Sequence, residues 1–116
     1  MKLVCIRTKN ELFLSDDDQD FLEALIRRLD LEQTFPYFMT DDFGLVDCLE
    51  ISTWITNHIT ENKIFETIIG DKILPVIIDD NLSKPVNYQP LSLDKLRFLS
   101  EFSNFMNSCR YGATIE

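Results

Sequence analysis

Two apolar stripes at helical spacing, one in each half of a 116-residue chain, limit what it can fold into. In the first, Phe21, Leu22, Leu25, Ile26 and Leu29 recur at steps of one, three and four. In the second, Leu96, Leu99, Phe102, Met106 and Cys109 line up, widened by Phe98 and Phe105. Such steps put side chains on one helix face, and that face needs a core to cover it. A chain of this length has room for one such core, so residues 1–116 are expected to form a single domain.

The helix ends are also marked. Ser15 is placed to cap the first helix, with Asp18 at the capping-box position. Asp16, Asp17, Asp18 and Asp20 fall in the first turns, where the helix dipole favours negative charge. Arg27 and Arg28 lie toward the far end, with Glu23 one turn before Arg27. The pattern predicts a helix over 16–31. Ser92 caps the second helix, and Gly112 lies just beyond its end.

The rest reads more as strand. Lys2–Thr8 has apolar residues on both faces. Glu11–Leu14 is a second short strand or a loop. Thr34–Met39 is aromatic and holds Pro36, which restricts it to an edge or a bulge. Leu45–Thr60 fits a helix face through Cys48, Ser52, Ile55 and Ile59, but also alternates. Its length favours a helix. Ile64–Ile69 either extends that helix or begins a strand, and Gly70-Asp71 breaks it either way. Lys72–Ile78 is the central-strand candidate, with Pro75 as its anomaly, and Lys84–Tyr88 is a short strand.

The resulting order, β-α-β-α-β-β-α, resembles the thioredoxin-like superfamily. The segment Leu74-Pro75-Val76 carries the resemblance. It stands where that family sets an apolar residue and a cis-Pro before a strand, a short strand and a last helix. The redox members carry C-x-x-C after the first strand. Here that region reads Lys9-Asn10-Glu11-Leu12-Phe13-Leu14-Ser15, with no cysteine. The resemblance therefore implies an α/β fold without disulfide exchange. The alternative is an α+β fold with two hairpins, 2–14 and 63–79, and helices on one face.

Charge supplies the functional signal. Residues 11–50 hold twelve acids against Arg27 and Arg28, so most of the net −9 is local. Local charge of one sign is a candidate recognition surface. Direct nucleic-acid binding needs clustered Lys and Arg, which are missing, and an acidic membrane surface is disfavoured for the same reason. No apolar run approaches the ~20 residues of a membrane span. Cys5, Cys48 and Cys109 are odd in number and far apart, which suggests reduced thiols in a cytoplasmic protein.

Catalytic and metal patterns fail on inspection. Asp16-x-Asp18-x-Asp20 begins like a calcium loop, but the required Gly and Glu positions hold Phe21 and Arg27. His58 is the single histidine; Cys48 with His58 fits no zinc spacing, and no flanking signature supports a nucleophile pair of Cys48 or Cys109 with His58. Asp79 and Asp80 leave a small-ligand or Mg²⁺ site as a minor option. With three glycines no phosphate cradle forms. The expectation is a non-enzymatic protein without cofactor or metal.

The leading reading is an acidic binding protein that neutralises a basic protein, of the toxin-immunity or antitoxin type that blocks a nuclease-like toxin. Carboxylates replace phosphates in the toxin's cleft, and aromatics form the dry centre. The residues expected to do this are Asp16, Asp17, Asp18, Asp20, Tyr37, Asp41, Asp42, Phe43 and Asp47. The alternatives are a thioredoxin-like module without redox function and a DNA-mimic inhibitor of a DNA-binding protein.

Overall fold

Ser15 sets the start of the first helix as its sequence suggests, since its Oγ accepts a hydrogen bond from the Asp18 N–H at 3.1 Å. Ser92 does the same for the last helix, accepting from the Lys95 N–H at 3.3 Å. The computed structural model describes residues 1–28, 45–61, 63–78, 87–109 and 111–116. Within them the chain runs β1 (Lys2–Cys5), β2 (Glu11–Phe13), α1 (Asp16–Arg28), α2 (Leu45–Thr60), β3 (Ile64–Ile69), β4 (Lys72–Ile77), β5 (Gln89–Pro90), α3 (Leu93–Ser108) and β6 (Ala113–Ile115). The mixed α/β composition is as expected. The segment 34–39 and most of 84–88 lie outside the described residues, as do Asp79 and Asp80.

The strands form two antiparallel sheets, ordered β2-β1-β6 and β4-β3-β5. The hairpins β1–β2 and β3–β4 fall within the two spans of the α+β alternative. In the second hairpin Ile69 pairs with Lys72, leaving Gly70-Asp71 as a two-residue turn. Gly70 sits at φ 66. Positive φ at the first turn position is what Gly supplies without steric cost.

One core joins both sheets to the helices. Leu3 and Cys5 of β1, Phe21, Leu22 and Leu25 of α1, Ile51 and Ile55 of α2, Ile64 of β3 and Leu99, Phe102 and Met106 of α3 are all buried in it. Phe21, Leu22 and Leu25 of the first stripe and Leu99, Phe102, Met106 and Cys109 of the second thus point inward. Between α2 and α3 the contact is partly polar. Ser103 Oγ donates to the Ser52 carbonyl at 3.0 Å and lies 2.8 Å from Thr56 Oγ1. Ser52 and Ser103 are buried, so these bonds replace water.

Two expectations need correction. Lys72–Ile78 reads as a central strand, but among the described residues β4 has β3 alone beside it. Pro75 explains this, since it has no N–H to give a second neighbour. Its preceding peptide is trans, as no described peptide is cis. The thiols are not all reduced: Cys5 and Cys109 form a disulfide across 104 residues, with Cα atoms 5.3 Å apart. Sequence separation says nothing of this meeting. It arises because β6, which the sequence did not reveal, returns beside β1 and pairs Cys5 with Ala113. Cys48 is fully buried and stays outside the disulfide.

Candidate functional site

The acids of α1 stand where α1 packs along β4. A groove of about 660 Å³ runs between them. Asp17, Asp20 and Glu23 line it from α1, and Asp71 and Lys72 from the hairpin turn. Their spacing of three puts the α1 acids on one helix side. Phe21, Ala24, Ile73 and Leu74 give it an apolar base. Lys95 of α3 also lines it, with its Nζ 4.8 Å from the centre of the Phe21 ring. Among the described residues the ion pairs are Lys2–Glu11, Lys2–Glu116 and Lys63–Glu61, so none engages an α1 acid.

An apolar strip continues from this groove. Ile73 of β4 pairs in register with Ile68 of β3. Ile73 is 42% exposed and Ile68 57%. Ile68 in turn lines a smaller cleft of about 270 Å³, where β3 meets residues 87–89. Charged groove, exposed isoleucine pair and second cleft thus lie in sequence across the hairpin. A dry apolar centre beside charged groups is the usual anatomy of a protein interface.

Of the residues expected to bind a partner, Asp17 and Asp20 line the groove. Asp16 and Asp18 share the first turn of α1 without lining it. Tyr37, Asp41, Asp42 and Phe43 lie outside the described residues, and Asp47 is in the first turn of α2. Sequence reasoning missed Glu23, Lys72, Ile73 and Lys95, because only the packing of α1 on β4 brings them together. It also missed Glu66. Once β3 is read as a strand, Ile64, Glu66 and Ile68 share one face, and a carboxylate between two isoleucines becomes visible.

The other chemistry considered earlier takes structural roles. His58 is half-buried, its Nδ1 2.8 Å from the Trp54 carbonyl and its ring against the Trp54 indole. Among the described residues no group of three or more His, Cys, Asp or Glu is placed to hold a metal ion, and no helix is long and apolar enough to cross a membrane. At the far sheet Lys2 reaches Glu11 and Glu116, each at 3.3 Å. The Glu11 hydrogen bond, then that of Glu116, raises the Lys2 ammonium above its ordinary value.

No protein-family model, no curated protein and no solved structure matches the chain.

Proposed function

We propose that this is a non-catalytic acidic protein that binds and neutralises a basic protein through the α1–β4 groove and the adjoining isoleucine pair. The observation that carries the reading is the groove itself, where three α1 acids without ion-pair partners among the described residues border an apolar base. Such acids steer a basic surface in, and the apolar strip holds it once docked. An inhibitor of a nuclease-like toxin is the partner class that best fits this chemistry, because such a toxin carries a cationic cleft. DNA mimicry fits less well. Lys72 and Lys95 interrupt the acids, and the exposed isoleucines have no counterpart on a phosphate backbone.

A thioredoxin-like module without redox function is the alternative, and it rests on the Leu74-Pro75-Val76 segment alone. A cytoplasmic location rests on reduced thiols. With Cys5 and Cys109 joined that support is gone, since disulfides persist mainly in oxidising compartments.

The test is capture from the source organism's lysate on immobilised protein at low salt, followed by a salt gradient. A single basic protein released at a sharp salt step is expected. An Asp17→Asn/Asp20→Asn/Glu23→Gln bait should not retain it. Equal retention by both baits would sink the assignment of the groove.

A further inference from the structure

The α1–β4 groove carries charge of both signs and pairs neither. Asp17, Asp20 and Glu23 line it from α1, and Lys72 lines it from the hairpin beside Asp71. No ion pair among the described residues joins them. Opposite charges that share a groove and stay apart leave their attraction free for an occupant. Ile73, also in the groove, is 42% exposed. A matching surface therefore carries bases along one flank, an acid on the other and an aliphatic row between.

The spacing selects the segment. Asp17, Asp20 and Glu23 advance by three residues, or ~4.5 Å, at each step along α1. Side chains on one side of a helix recur every ~4.5–6 Å, and those on one face of a strand every ~6.7 Å. A helix keeps step with the acids, and a strand does not. Strand addition to β4 is also hindered. The Ile78 N–H donates to the Lys63 carbonyl at 2.8 Å, and Ile69 pairs with Lys72 across the two-residue turn. Even-numbered residues of β4 thus bond toward β3, while Ile73, Pro75 and Ile77 turn their backbone the other way. On that side Pro75 offers no N–H. A helix is ~10–12 Å across, so it lies over a groove of about 660 Å³ and seats its side chains there.

We propose that the groove receives an amphipathic helix of the basic partner. Lys or Arg at steps of three or four faces Asp17, Asp20 and Glu23, an aliphatic side chain covers Ile73, and a carboxylate meets Lys72. This deepens the proposed function and rests on it for the existence of a basic partner.

The test needs no partner. Full-length ¹⁵N-labelled protein is titrated with a synthetic basic peptide that has this face, stapled as a helix, and with a counterpart of equal charge broken by two prolines. The expected result is saturable shifts at 17–24 and 71–74, with the broken peptide on the order of tenfold weaker or more. Lys72→Glu gives the sharper reading, because it changes an exposed side chain. The helix account predicts binding about two- to fivefold weaker, as loss of an exposed ion pair implies. Attraction to acidity alone predicts tighter binding of a basic peptide to the same variant. Equal binding of the two peptides, tighter binding to Lys72→Glu, or no saturation by either peptide would overturn the helix. Lysate capture that still depends on Asp17, Asp20 and Glu23 would then leave the proposed function standing. Failure of that capture alongside the expected titration would overturn the proposed function and leave the helix site.

Discussion

The two sheets are built on different terms. Around β1 the buried side-chain polar groups are satisfied among the described residues, although Ile6, Phe13 and Tyr111 stand exposed there. Leu3, Val4 and Cys5 are buried, β2 and β6 flank the strand, and the disulfide ties it to the end of α3. Around β3 requirements are left open. Isoleucines stand exposed at the hairpin, and among the described residues the α1 acids have no ion-pair partner and one buried Glu66 oxygen has no hydrogen-bond partner. A region that closes on itself carries stability. A region that leaves apolar surface and charge unmatched is suited to a partner that matches them.

The largest expected effect breaks the first region. Replacing Cys5 and Cys109 together by Ser removes a link that closes a loop of about 100 residues, worth ~4.7 kcal/mol in the chain-entropy model and typically ~2–4 kcal/mol when measured. Urea unfolding should show a loss of that size. A smaller loss is expected between α2 and α3. Ser103→Ala deletes a buried hydroxyl that serves the Ser52 carbonyl and neighbours Thr56, and should cost about 1 kcal/mol.

The open region should respond in the opposite way. Ile68→Thr with Ile73→Thr changes exposed side chains, so stability should move by no more than about 0.5 kcal/mol. Partner capture should nonetheless fall. A large stability loss would show that the pair packs within the fold, and the comparison would fail there.

The smallest effect concerns Lys2. Its ammonium is raised by Glu11 and then Glu116, so the bound proton is favoured in the folded state. The associated stability is fully present below the unfolded value of ~10.4 and is lost as pH rises through the higher folded value. Neutral conditions leave it untouched. Titration of the Lys2 ε-methylene by NMR should show the raised midpoint, and Glu11→Gln should lower it.

How much of this was legible in the sequence depends on the range of each interaction. Ser15 and Ser92 are local signals, and both caps form as read. Leu45–Thr60 kept two periodicities, and packing on α3 resolves it as a helix. The β3–β4 turn shows in Gly70, and Pro75 is the local signal that β4 has β3 alone beside it among the described residues. β6 is three residues long, too short for a periodicity, and without it the Cys5–Cys109 meeting could not be foreseen. At the candidate site Asp17 and Asp20 stood out by charge. Ile73, Lys95 and Glu66 depend on strand register and helix packing, which composition does not encode.

The most direct test of the central claim is an interface map. The basic protein captured from lysate is added to ¹⁵N-labelled chain, and backbone shifts are followed. The account predicts shifts at Asp17, Asp20 and Glu23, across Ile68 and Ile73, and at Gln89, with β1 and β6 unmoved. Shifts centred on β1 and β6, with the groove silent, would contradict it.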